Sequence, residues 1–123
     1  TFNWIKEWPE GTVENVFDAV LIQRVIGNFL GNAVKFSPPG SEICVRVIAP
    51  GRVEVQDQGP GIPEQDRKRI FEKFAQLTIE NPQVRKYSSG LGLSFCQLAI
   101  ASHNGQIGVD SEPGCGSTFW FEI

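Results

Sequence analysis

An α+β two-layer sandwich is the fold class predicted by this 123-residue chain. Three observations predict it: a long stripe of paired apolar residues at helical spacing, alternating segments that come in pairs around Pro-Gly turns, and the lack of any repeat, low-complexity tract or linker that would divide the chain. The length suits one domain with one core. With 41% hydrophobic and 20% charged residues the composition is that of a globular domain, and no apolar run approaches the roughly 20 residues of a membrane span. Eleven basic against fourteen acidic residues give a net charge of −3, which argues against a whole-surface grip on nucleic acid.

The N-terminal stretch has neither the basic start nor the apolar run of a signal peptide, and the chain has no Met. It therefore reads as a cytoplasmic domain excised from something longer, spanning 1–123 without direct membrane contact. Cys44, Cys96 and Cys115 lack C-x-x-C spacing and have a single His for company. They read as scattered buried thiols in a reducing compartment rather than a zinc site or a disulfide framework.

From Asp18 to Phe36, residues Leu21, Ile22, Val25, Ile26, Phe29, Leu30, Ala33 and Val34 recur in adjacent pairs every four residues, the stripe of a core-facing helix that Pro38, Pro39 and Gly40 stop. Glu42 to Ile48 alternates through Ile43, Val45 and Val47, and Arg52 to Asp57 through Val53 and Val55, a hairpin around Pro50-Gly51. After the breaker cluster Gln58–Pro63, Glu64 to Phe74 reads as a short, basic, amphipathic helix. Periodicity fails from Ala75 to Ser89, which predicts a long loop of the kind that is functional or disordered. Leu91 to Ser102 resumes as a helix with His103-Asn104-Gly105 as its stop, and Gln106 to Glu112 and Ser117 to Ile123 form a last strand pair with Phe119, Phe121 and Ile123 on one face.

Four features ask for a ligand. Asn28, Asn32 and Lys35 stand at i, i+4 and i+7, one line beside the apolar stripe. Gly27 and Gly31 interleave with them at a cost of about 1 kcal/mol each relative to Ala, so a helix selected for stability alone would avoid all of these except the Lys. Amide carbonyls suit Mg²⁺ and a Lys suits phosphate; the bland alternative is a solvated face. Asp57 shares the inner face with Val53 and Val55 where Gly59 and Gly61 turn the chain. A purine exocyclic amine would satisfy such a carboxylate, although for a lone D-x-G-x-G an Asp that merely opens the turn is the better explanation. Ser88-Ser-Gly-Leu-Gly-Leu-Ser94 is a glycine loop running into a helix, a place for phosphate, or else only a flexible helix entry. Arg67, Lys68, Arg69 and Lys73 read mostly as a solvated helix face, while Arg85 and Lys86, just before the glycines, are the better phosphate candidates.

In this order the features resemble the ATP-binding catalytic domain of sensor histidine kinases, within the superfamily that includes gyrase, Hsp90 and MutL. Asn28–Phe36 resembles the N box, Asp57–Gly61 the first glycine box, Phe71–Phe74 the F box, Gly90–Leu93 the second glycine box and Gly114–Phe119 the last. The resemblance spans essentially the whole chain. It implies a Bergerat-type fold, a mixed and mostly antiparallel sheet covered on one face by three helices. By the same analogy Asn32 ligates Mg²⁺, Asn28 assists at the phosphates and Lys35 contacts the phosphate chain of ATP. Asp57 holds the adenine amino group, with Gly59, Gly61 and Ile62 shaping that end. Residues 75–89 form the lid, Gly90 and Gly92 its hinge, with Phe71 and Phe74 anchoring its start or simply serving as core aromatics. Phe36, Arg85, Lys86, Leu91, Leu93 and Thr118 complete the expected nucleotide contacts.

Hydrolysing members similar to gyrase and Hsp90 place a Glu four residues before the metal Asn as general base. Asn28 occupies that position here and cannot take a proton, so the resemblance implies phosphoryl transfer to a His on a partner dimerisation domain of the same kinase, with a response regulator downstream. His103, the only His, falls where the family has a structural turn rather than an acceptor. Ser88-Ser89 departs from the Gly-Thr usual before the second glycine box. A nucleotide-binding or partner-docking module without transfer is the alternative.

Overall fold

The computed structural model describes residues 2–11, 15–88, 92–112 and 114–123. Its elements are β1 (Asn3–Glu7), α1 (Ala19–Phe36), β2 (Glu42–Ile48), β3 (Arg52–Gln56), α2 (Pro82–Arg85), α3 (Gly92–Ser102), β4 (Gln106–Ser111) and β5 (Ser117–Glu122), with single 3-10 turns at Glu64–Asp66, Arg69–Phe71, Ala75–Leu77 and Lys86–Ser88. The five strands form one sheet in the order β1-β2-β3-β5-β4. β1 runs parallel to β2 and every other pairing is antiparallel. The α+β class with a mixed, mostly antiparallel sheet and helices on one face therefore holds.

α1 begins at Asp18, whose side chain caps the helix by accepting the Leu21 N–H at 3.1 Å. Ile22, Val25, Phe29 and Ala33 point into the core, and the Phe29 ring lies 5.5 Å from Phe119 and 6.2 Å from Phe121 on the inner face of β5. Burying one such aromatic contributes about 2–3 kcal/mol, so this cluster sets the distance between helix and sheet. α3 buries Leu93, Cys96, Ala99 and Ile100. It ends in a Schellman motif with Asn104 left-handed at φ 58° and Gly105 N–H donating to Ile100 O at 3.0 Å. His103 Nδ1 faces Ala99 O at 2.7 Å and Nε2 accepts the Asp18 N–H at 2.9 Å, so the lone His ties the end of α3 to the start of α1.

Several expectations change. Glu64 to Phe74 is two 3-10 turns and not one helix, because Arg67 reaches out to Ile62 O and Ser111 O and Arg69 to Thr78 O. Those bonds are tertiary, and two separate turns let Ile70 and Phe71 both enter the core. The third covering helix is thereby reduced to turns and the four-residue α2. Residues 75–88 are not a structureless loop. Ala75, Ile79, Val84 and Tyr87 are buried, and Asn81-Pro82 starts α2, Asn81 accepting the Gln83 N–H at 2.9 Å with Pro at the first helical position. Phe74 is 59% exposed at a left-handed φ of 64° and is no core aromatic. Cys115 is exposed, unlike Cys44 and Cys96. Strand β1 escapes the sequence pattern because its residues do not alternate. Arg46 secures it instead, pairing with Glu7 at 2.8 Å and Glu54 at 3.4 Å across three strands. No helix among the described residues is long and apolar enough to cross a membrane.

Candidate functional site

Asp57 follows β3, and strand alternation turns its carboxyl to the inner face with Val53 and Val55. It is 1% exposed. Oδ1 accepts the Gly59 N–H at 2.9 Å and the Ser117 N–H at 3.2 Å, whereas Oδ2 is buried with no hydrogen-bond partner among the described residues. Burial raises the carboxyl from 3.8 to about 6, against the lowering effect of those two N–H donors. An acceptor left dry costs free energy until a donor reaches it, and Oδ2 is such an acceptor. Gly116 backs the residue: a Cβ there would overlap the Asp57 carbonyl, and its φ is 88°.

The turn after β3 docks on the C-terminal end of α1. Gln58 N–H donates to Ser37 Oγ at 3.4 Å, and Gly59 lies against the Phe36 carbonyl. Gly61 is buried, and the neighbouring Ile62 N–H donates to Ser111 Oγ at 2.7 Å. Ser111 Oγ in turn donates to Gly116 O at 2.9 Å, which joins the first and last glycine turns.

Along α1 the polar line is half-buried at Asn28 and Asn32 and exposed at Lys35. Asn28 Nδ2 donates to Arg24 O at 2.8 Å, which leaves its carbonyl Oδ1 against Gly92 at the N-terminus of α3, where a Cβ would overlap it. Together with Arg24, Lys73 and Ser94, these two residues line a cavity of about 580 Å³. Gly27 and Gly31 are exposed and have no atom near the position of a Cβ. Gly31→Ala is therefore expected to raise the stability of the ligand-free domain by about 1 kcal/mol through helix propensity. Urea unfolding measures this, and a simultaneous loss of ligand affinity would mark the empty space as ligand space.

The structure places the remaining expected contact residues as follows. Thr118 alternates to the outer face opposite Phe119, and the last glycine turn reaches Asp57 through Ser117. Leu93 and Ile62 are core residues at 2% and 0% exposure. Arg85 spends its guanidinium on Ile79 O at 3.1 Å and Glu80 O at 2.8 Å. Lys86 is exposed. Gly90 and Leu91 lie outside the described residues. Tyr87 is the residue that sequence reasoning missed. Its ring stacks on Phe36 with centroids 3.8 Å apart and planes 24° from parallel. The only local signal is a lone Tyr in a segment without periodicity.

A family model described as histidine kinase-, DNA gyrase B- and HSP90-like ATPase matches residues 17–123. The chain belongs to this family. Among relatives, the adaptive-response sensory kinase SasA of Rippkaea orientalis is 40% identical over 123 residues, covering 97% of this chain and 31% of its own length. The sensor histidine kinase AruS of Pseudomonas aeruginosa is 44% identical over 111 residues, covering 83% and 11%. The ATPase domain thus spans about a third or less of these curated relatives. Full-length ShkA in complex with AMPPNP superposes with a TM-score of 0.76 at 33% identity, over 99% of this chain and 25% of that one. The mycobacterial sensor histidine kinase MprB superposes at 0.73 and 32%, over 98% and 79%. The family match and the named sensor-kinase relatives agree with the family resemblance read from the sequence.

Proposed function

We propose that this domain binds Mg-ATP and supplies its γ-phosphate to a histidine on a separate dimerisation helix domain in two-component signalling, on the cytoplasmic side. The single observation that carries the reading is the dry Oδ2 of Asp57, an acceptor on the sheet floor that the adenine amino group satisfies. Phe36 offers a ring face beside it for the purine, and the Asn28–Gly92 contact marks the phosphate end, where backbone N–H groups at the start of α3 favour an anion. The relative ShkA, with the same fold, forms a complex with AMPPNP.

Asn32 would hold Mg²⁺ arriving with the nucleotide, since a neutral amide oxygen suits a hard cation that phosphate also binds, and Asn28 would assist at the phosphates. A cation held there would supply charge neutralisation for the transferring phosphoryl group. The residues of this chain position and do no covalent chemistry. The bond from the γ-phosphorus to the bridging oxygen breaks, a bond to an imidazole nitrogen forms, and ADP leaves. Asn28 holds its amide with Nδ2 on Arg24 O and accepts no proton, so water is not activated. His103 is committed on both ring nitrogens to Ala99 and Asp18 and is a structural tie, leaving the acceptor to a histidine outside these 123 residues.

Calorimetry with ATP is expected to give binding that requires Mg²⁺. Mixing the domain, ATP and a histidine-bearing dimerisation fragment is expected to give phosphohistidine on the fragment with negligible phosphate release. Robust phosphate release would replace transfer by hydrolysis, and binding without phosphohistidine on any competent fragment would make the domain a nucleotide-dependent docking module.

A further inference from the structure

The purine end of the site is closed in this structure, and the group that closes it belongs to the chain. Tyr87 lies face to face with Phe36 at 3.8 Å and 24°, the separation and tilt of stacked aromatic planes. It is 3% exposed, its ring centroid stands 5.9 Å from Phe119, and the charge of Asp57 bears on its phenol. Its hydroxyl is buried without a hydrogen-bond partner among the described residues, and Ser117 is the neighbouring group that acts on the phenol against the effects of burial and of Asp57. We propose that Tyr87 is an internal stand-in for the purine, a plug that occupies the Phe36 face in the nucleotide-free domain and leaves it when adenine enters. The inference rests on the nucleotide reading above and adds an occupant that must move.

A permanent core position here would favour Phe, since a tyrosine hydroxyl normally finds a partner when buried. The Tyr87 hydroxyl and Asp57 Oδ2 are each buried without a hydrogen-bond partner among the described residues, and the cost of leaving both dry makes the plugged state a shallow minimum. Leaving Phe36 requires only the short element that carries the ring to shift. The Lys86–Ser88 turn is one turn long, directly precedes the second glycine box in sequence, and is pinned by Ser88 Oγ donating to Ile70 O at 3.0 Å. Because ligand and ring compete for one face, the observed affinity is the intrinsic affinity scaled by the unplugged fraction.

The test uses opposite substitutions. Tyr87→Phe keeps the stacking ring and removes the dry hydroxyl, so the plug tightens and Mg-ATP affinity falls about fivefold. Tyr87→Leu keeps apolar bulk and removes the stack, so affinity rises about tenfold. A merely structural Tyr87 would move both in the same direction. Tyr87 is the only tyrosine, so 3-fluorotyrosine gives one ¹⁹F resonance, expected to shift when Mg-ATP saturates the wild-type domain. Heat of binding with an unmoved resonance, or equal-signed effects of the two variants, overturns the plug while the nucleotide reading stands. Binding by Tyr87→Leu alone supports the plug in its strongest form. Absence of binding in wild type and both variants removes the plug and the nucleotide reading together.

Discussion

Asp57→Asn is expected to abolish most nucleotide affinity while making the ligand-free domain more stable. The carboxyl is buried and raised to about 6, so at pH 7 the folded state carries a carboxylate in a place that disfavours charge. The raised value means that the folded state holds its proton between about pH 4 and 6 while the unfolded chain has already released it. The stability contributed by that proton is full below about pH 4 and is lost as the pH rises through 6. The difference between 3.8 and about 6 corresponds to about 3 kcal/mol. An Asn at this position accepts from Gly59 and Ser117 as Oδ1 does now, without ever ionising. Thermal unfolding should therefore show the variant more stable at pH 7 by up to about 3 kcal/mol and equal to wild type at pH 4.

For the ligand the same change puts Nδ2, a donor, where the adenine amine needs an acceptor. Losing a charge-assisted hydrogen bond and opposing two donors costs about 3 kcal/mol, roughly a hundredfold in Kd. In the wild-type domain affinity should fall as the pH drops below about 6, when Oδ2 gains a proton, and the variant should lose this dependence. Unchanged calorimetric affinity in Asp57→Asn would detach the nucleotide from this residue.

Gly116→Ala is expected to damage fold and site together. At φ 88° an L-residue costs about 1–2 kcal/mol, and here the new Cβ would overlap the Asp57 main chain and approach Gln58 Cα. Backbone cannot yield as a side-chain end can, so about 1–3 kcal/mol more follows from displacement. The strand start moves with it, withdrawing the Ser117 N–H from Asp57 and the Gly116 carbonyl from Ser111. Denaturant unfolding should register a loss of about 3 kcal/mol or more, a large part of a domain's margin, and nucleotide affinity should fall below detection. Gly114→Ala is the control. It has a similar φ of 84° with open space around it, and should cost only the conformational part.

The parts of this domain differ in how far their sequence reveals them. Helix α1 could be read because Ile22, Val25, Phe29 and Ala33 recur at the helical period and all face one sheet. The two hairpins could be read because Val53, Val55, Phe119 and Phe121 alternate. Asp57 was legible as inward by the same alternation, and Asn28 by its place one turn before Asn32. Strand β1 was not, since its pairing with residues about forty positions away leaves no local period. The segment 75–88 was not, since Ile79, Val84 and Tyr87 are spaced by packing and not by any repeat. Thr118 and Ser117 could not be ranked until the register of β5 against β3 was known.

The amino-acid order by itself determined helices α1 and α3, the two hairpins, the inward Asp57 and the missing proton acceptor at Asn28, because each depends on periodicity or on the chemistry of a single side chain. Only the tertiary structure decided that Oδ2 stays dry, that Ser117 serves Asp57, that Arg67 and Arg69 break a helix into turns, and that Tyr87 lies on Phe36. These depend on hydrogen bonds and contacts between segments tens of residues apart, whose geometry no local pattern encodes.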